Sequence, residues 1–464
     1  MIDLLRLKSL DRLAASRFYP MTIQAFLLLC FALVIAGGLA APHVSARIAG
    51  TLRNTNLAAL IVWSLWWPLV IITAVLFTRV WCQVCPMELI NSLLSRIGLK
   101  RKVPRLLTSG WGGALFYTLI LLGFIRTFRA NRFPDRMALF FLVLLAAAVF
   151  MGFMYEKRAF CNYLCPVGRL LGLYGCCAAL EWRAADRAVC QDCQTKECID
   201  DALVYRLTGR SCPGNLYPPS IRDNRECQLC TQCRKVCPHG NLRLSLRRPM
   251  ADFFTDLRLS SPEFLFVFFV SGLAIWEMAE EWDPAEAVLE FLPDRLSTWL
   301  GFSGDAASFL HTLVIFVLMP TLLFLLPGWI GARLNRVSLL ESVKIFSLVF
   351  LPVVALIHLL KALFRITSRL PYYALAFKDP VGYETANRIV AGDLQPDMQI
   401  ATALFPIVSW IAVPVLVGIV VYPWIIGLRS PACGNLERGG RVPYLAFVTL
   451  YSVVLALITV MARF

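Results

Sequence analysis

The chain has 464 residues, 58% of them hydrophobic and only 16% charged, with a mean hydropathy of +0.66. A soluble domain carries roughly 45–50% apolar and 25% charged residues, so a string of soluble domains, a disordered chain, a collagen and a secreted disulfide scaffold are excluded. The net charge of +15 would suggest nucleic acid in a soluble protein. In a polytopic membrane protein it reflects Lys and Arg collected in cytoplasmic loops, and no nucleic-acid partner is expected.

A span needs ~20 mainly apolar residues. Nine candidates run at about 21–41, 57–78, 111–126, 137–154, 260–277, 305–326, 338–360, 400–426 and 442–462, the third being short. Arg6, Lys8, Arg12 and Arg17 precede the first apolar run. That run has full spanning length, so it reads as a retained helix rather than a cleaved signal. With the N-terminus in the cytoplasm, 31 Lys and Arg fall in inner segments and 13 in outer ones. The long loop 155–259 supplies most of that difference, supported by the basic start and by Lys100–Arg101–Lys102. The loop 277–304 is acidic and fits the outside, with a surface-lying helix expected over Pro284–Phe302. The loop 361–399, with Lys361, Arg365, Arg369 and Pro371-Tyr372-Tyr373, is expected outside as a docking surface.

The expected fold class is therefore an all-α polytopic membrane protein of about nine spans, with a small cytoplasmic α+β dicluster ferredoxin-like insert. The domains are 1–180 (membrane region with two Cys-Pro repeats), 181–250 (insert) and 251–464 (about five spans). The expected location is a bacterial-type cytoplasmic membrane, with N-terminus and insert in the cytoplasm.

Of the 16 cysteines, all but Cys30 and Cys433 are clustered. On this topology they face the reducing side, which favours metal thiolates over disulfides. An internal repeat carries four of them. One span leads to Arg79-Val-Trp-Cys82-Gln-Val-Cys85-Pro86, and a later one to Arg158-Ala-Phe-Cys161-Asn-Tyr-Leu-Cys165-Pro166. Both motifs fall at the inner membrane boundary.

The insert contains Cys227-x2-Cys230-x2-Cys233-x3-Cys237-Pro238. This is the bacterial ferredoxin run, in which three thiolates hold one cubane and the fourth ligates a second cluster. Ligands for that second cluster stand upstream as Cys190-x2-Cys193-x4-Cys198, with Cys212-Pro213 beyond. The crossed pairing gives Cys212, Cys227, Cys230 and Cys233 to one [4Fe–4S] cluster and Cys190, Cys193, Cys198 and Cys237 to the other. The upstream spacing departs from the standard one, so zinc or no metal in that half stays as an alternative. No C-x3-C-x2-C run exists for radical chemistry.

These motifs resemble the membrane-bound polyferredoxins of the NapH, NosR and CcoG kind over residues 57 to about 250. The resemblance implies a helical membrane core with a cytoplasmic 2[4Fe–4S] module. It also implies electron transfer between the cytoplasm or quinone pool and periplasmic redox proteins, or help in assembling them. Neither the extracytoplasmic flavin segment of NosR nor the periplasmic immunoglobulin-like domain of CcoG is found, and the last five spans lie outside the resemblance.

Cys82, Cys85, Cys161 and Cys165 form a candidate third metal or redox site. Proline after the second cysteine would start the next helix and favour a thiolate of lowered pKa. Packing of these four residues is the alternative. Cys176 and Cys177 read as core. His43 falls in the first outer loop, and His239 reads as surface or cluster surroundings. His311 and His358, in the sixth and seventh spans, are a candidate axial pair for haem b, a quinone contact, or structural residues.

The expected function is a membrane-bound iron–sulfur electron carrier, or a quinol-linked oxidoreductase subunit. It would work between a cytoplasmic or quinol donor and an extracytoplasmic metalloprotein, with membrane lipid around it. The alternative is an accessory factor supplying electrons to metal uptake or metalloenzyme assembly. A transporter lacks paired charges deep in several spans, and a pure sensor would not need so many.

Overall fold

Apolar runs of spanning length become helices because lipid offers no partner to an open backbone group. The computed structural model describes residues 2–434 and 436–461, without the side chains of Arg126, Asp305 and Arg438. Among them, eight helices are long and apolar enough to cross a membrane. They are Met21–Leu39, Leu57–Phe77, Pro134–Met154, Ser261–Ala279, Ala306–Asn335, Leu339–Lys378, Gln399–Arg429 and Gly439–Met461. The expected ninth is the apolar helix Trp111–Ile125, which falls short of the length of the other eight. The expected end of the last span at Ala462 lies outside the described residues.

The chain forms two compact units, one of Met1–Leu33, Ile72–Gly113 and Phe141–Thr255, the other of Val34–Ile71, Ala114–Phe140 and Asp256–Phe464. The first holds every clustered cysteine. Its sheet contains strands β1 (Ile2–Asp3), β2 (Leu180–Ala184) and β3 (Leu242–Leu246), in the antiparallel order β1-β3-β2. The two long strands bracket the cysteine-rich loops, and Leu180, Trp182, Leu229 and Leu242 form a small core against Cys227, Cys233 and Cys237. Strand β1 and ion pairs such as Arg234–Asp11 (3.1 Å) fasten the N-terminal segment to the insert. Start and insert thus share one face of this unit.

The second unit is built on Leu339–Lys378, whose apolar window is 94% buried. Ser338 Oγ accepts from the Glu341 N–H (3.2 Å) and starts that helix. Phe324, Phe346 and Phe350 are fully buried around it, with ring centroids 5.3–5.7 Å apart. Gly328 lies against Val343 and Gly331 against Tyr444, where any side chain would collide, so the glycines let these helices close up. The helix runs far past the expected end of its span. The segment 361–399 is therefore helical through Lys378, turns at Gly382 (φ +74°), and is helical again over Tyr383–Ala391. The charges on the extension are matched locally: Lys361 Nζ donates to the Glu281 carboxylate, and Arg365 lies 3.7 Å from Glu277. The acidic loop does contain a helix, Asp283–Leu300, with Trp299 81% exposed.

Candidate iron–sulfur centre

The ferredoxin run folds tightly because two non-glycine residues inside it, Leu229 (φ 51°) and Thr231 (φ 58°), adopt the left-handed conformation. Such residues are costly and persist where the surroundings dictate them. Here they wrap Cys227, Cys230 and Cys233 around one cavity. Cys212 joins them from upstream, and the four thiols line one cavity with Arg158, Trp182 and Asn162 among the walls. Trp182 Nε1 donates to Cys233 Sγ (3.3 Å). Burial pushes the Cys227 thiol up to about 11, with Cys230 and Cys212 adding to the rise. An iron–sulfur cluster binds thiolates, so loading would displace these protons. Four cysteine thiols lining one space are the donor set such a cluster takes.

Cys190, Cys193, Cys198 and Cys237 form a second group. Burial raises the Cys198 thiol to about 11, and Cys237, Cys190 and Cys193 are close enough to raise it further. Asn241 Nδ2 donates to Cys190 Sγ (3.2 Å), and the Cys212 N–H donates to the Cys198 carbonyl (2.8 Å), tying the two groups together. Cys193 is the most open, and backbone N–H groups of Lys196 and Thr195 lower its pKa. Among the described residues no three His, Cys, Asp or Glu side chains converge on a single ion position. A cubane offers a different iron to each thiolate and needs no such convergence.

The third group comes from the repeats. Pro86 and Pro166 occupy the first turns of helices Pro86–Ile97 and Pro166–Gly175, with Cys85 and Cys165 as their N-caps. Cys165 Sγ accepts from the Gly168 N–H at 3.3 Å. Cys85 interacts with Cys165 and Cys82, and Cys161 with Cys165 and Cys85. The expected lowering of pKa does not appear. Burial raises Cys165 to about 11 and outweighs the helix N-terminus. Cys176 and Cys177 are buried beneath the sheet (0% and 2% exposed).

Arginines connect the repeats to the ferredoxin run. Arg79 and Arg158 each stand three residues before the first cysteine of a repeat. Arg79 Nη1 donates to the carbonyls of Arg225 (2.9 Å) and Glu226 (3.2 Å), just ahead of Cys227. Arg158 Nη2 lies 3.9 Å from Cys230 Sγ, and the same guanidinium feels Cys161 and Cys212. Arg158 thus stands between the repeat thiols and the ferredoxin thiols. Glu88, the second residue after Pro86, holds it in place: its Oε1 accepts from Arg158 (2.8 Å) and Arg210 (2.6 Å), and Gln24 reaches its other oxygen. Burial alone would raise the Glu88 carboxyl, but Arg210 and Arg158 hold it below its ordinary value. Sequence reading missed this network. The signal was the Arg-x-x-Cys spacing shared by both repeats.

The two candidate histidines each face a carboxylate. His311 Nε2 lies 3.2 Å from Asp294 and His358 Nε2 3.6 Å from Glu277. A haem iron bound through Nε2 would displace those carboxylates. His43 Nδ1 lies 3.3 Å from Asp135.

Two segments, residues 59–104 and 137–176, match the family described as 4Fe-4S binding domain. They contain Cys82, Cys85, Cys161 and Cys165 and stop short of the insert. In those two segments the chain is similar to 4Fe-4S binding proteins, and eight of its described helices are long and apolar enough to cross a membrane. The chain is 24% identical over 253 residues to an uncharacterized protein of Methanocaldococcus jannaschii, covering 53% of this chain and 90% of that one. A second uncharacterized protein of the same organism is 21% identical over 199 residues, covering 38% and 76%. No solved structure matches.

The geometry makes a prediction for Arg158. Its positive charge favours the more negative, reduced form of a neighbouring cluster. Arg158→Gln should lower the midpoint potential of that cluster by about 50–100 mV, and Arg158→Lys should restore most of it. A redox titration followed by electron paramagnetic resonance checks this. An unchanged potential in Arg158→Gln would remove Arg158 from the centre's electrostatics.

Proposed function

We propose that the protein moves single electrons between a donor at the insert and the membrane quinone pool or an extracytoplasmic redox protein, as the NapH, NosR and CcoG resemblance implies. The observation that carries this reading is the succession of three thiol groups. The most open group is Cys190, Cys193, Cys198 and Cys237. The middle one is Cys212, Cys227, Cys230 and Cys233. The last is Cys82, Cys85, Cys161 and Cys165, a few residues beyond two spanning helices. A [4Fe–4S] cluster supplies one-electron transfer when bound. The chain's own residues hold the thiolates at fixed positions, shield the inner groups from water, and set their charge through Arg158, Trp182 and Asn241. The positive-inside bias puts the insert and the N-terminal segment in the cytoplasm. The likeness of residues 59–104 and 137–176 to a 4Fe-4S binding family supports a third cluster.

The test uses the anaerobic protein in lipid nanodiscs. Both a soluble reductant and a reduced quinol should bleach the broad visible absorbance. Bleaching by the soluble reductant alone would remove the quinone pool and favour the second reading, an accessory factor supplying electrons to metal uptake or metalloenzyme assembly. That reading draws on the same thiol groups.

A further inference from the structure

A second cavity of the cysteine-bearing unit holds no thiol. It is a partly open cleft, and three arginines line it: Arg17 from the N-terminal segment, Arg96 from the helix after Cys85-Pro86, and Arg210 from the insert. The remaining wall is partly apolar, with Met21, Leu89, Leu93 and Leu207. Met21 is the first residue of the first candidate spanning helix, so the cavity lies at the start of that helix.

The charges there do not balance. Glu88 is the one acid among the described lining residues, and Arg158 and Arg210 already share it. Among the described residues neither Arg17 nor Arg96 has a carboxylate partner. Arg96 reaches only the Arg206 carbonyl (3.0 Å), and Arg17 lies over the Phe18 ring. The Nε atoms of Arg96 and Arg210 are buried without a hydrogen-bond partner, and Arg210 is only 6% exposed. Unpaired Nε atoms also occur at Arg79, Arg158, Arg234 and Arg243, so what sets this cavity apart is its three guanidinium groups against one shared carboxylate. Guanidinium groups match the oxygens of a phosphate in a fork geometry. Basic pockets beside spanning helices, with an apolar wall for acyl chains, take anionic lipid headgroups.

We propose that this cavity binds the phosphate of an anionic membrane phospholipid, with Arg17, Arg96 and Arg210 on the headgroup and Leu89, Leu93 and Met21 against its glycerol and acyl carbons. The bound lipid fastens the insert to the start of the first span. Because Arg210 also holds Glu88, which holds Arg158, the headgroup completes the charge network that ends beside Cys230.

The experiment uses the full, cluster-loaded chain in neutral detergent, with native mass spectrometry as the readout. Phosphatidylglycerol, phosphatidylcholine and inorganic phosphate are titrated separately. Wild type should retain phosphatidylglycerol at least about tenfold more tightly than phosphatidylcholine. Arg17→Gln and Arg96→Gln should each weaken that binding about tenfold, whereas Arg248→Gln on the exposed surface should not. Leu93→Trp, which fills the apolar wall without touching a charge, should weaken it as well. Visible absorbance of each variant checks that its clusters are in place. Inorganic phosphate displacing the lipid at equal concentration would make this a free-phosphate site and overturn the lipid assignment. Equal retention of both lipids, or full binding by Arg17→Gln and Arg96→Gln, would overturn the site.

Discussion

Replacing Cys237 with Ser will cost the protein the cluster held by Cys190, Cys193 and Cys198 and spare the one held by Cys227, Cys230 and Cys233, although Cys237 belongs to the same short motif as the latter. Cys212→Ser will do the reverse, striking the ferredoxin run from fifteen residues upstream. The basis is the grouping of the thiols. Cys237 interacts with Cys198 and Cys190, whereas Cys212 lines one cavity with Cys227, Cys230 and Cys233. Each variant should lose about four iron and four sulfide per chain, and the resonance lines that remain should differ between the two. Loss of the same signal from both variants would contradict the crossed pairing.

Glu88→Ala should be the most damaging single change away from a cysteine. It leaves Arg158 and Arg210 buried with no carboxylate between them. Breaking such a pair by removing one partner costs about 3–5 kcal/mol. The loss should appear as a lower temperature for decay of the cluster absorbance. The double variant Glu88→Ala, Arg158→Leu should recover part of it, because one uncompensated charge has gone. The pH dependence follows from the direction of the shift. The Glu88 carboxyl is held below its ordinary value in the folded protein, so its contribution is complete above the unfolded value of about 4.3. It is lost as pH falls through the lower folded value. Wild type and Glu88→Gln should therefore differ by a constant amount at neutral pH and converge only in acid, as the lowered folded value is passed. A double variant more damaged than the single one would contradict the role given to the pair.

The cysteine groups were legible because metal ligation is written in spacing: Cys-x2-Cys-x2-Cys-x3-Cys-Pro can be read without a fold. The Cys-Pro repeats were legible for a related reason, since proline after an N-cap residue starts a helix in either context. What escaped was whatever depends on partners distant in sequence. Glu88 and Arg210 are 122 residues apart, and in a linear reading Glu88 is one more charge on an amphipathic helix. Strand β1 is two residues long and exists only because β3 lies beside it. The segment after His358 read as a loop because Lys361, Arg365 and Arg369 end the apolar window. It remains helical because Glu277 and Glu281 meet Lys361 and Arg365 inside the unit. Glu277 also faces His358 Nε2, a contact that spacing along the chain does not announce. The number of spans differed by one because Trp111–Ile125 is apolar enough and too short.

The central claim, that this chain is an iron–sulfur electron carrier of the membrane, is tested most directly by a reduced-minus-oxidised optical spectrum of anaerobically purified protein with its iron and sulfide counted. The account predicts a broad bleaching without sharp b-type haem bands, with about twelve iron and twelve sulfide per chain for three cubanes. A flat difference spectrum from fully metal-loaded protein would contradict it.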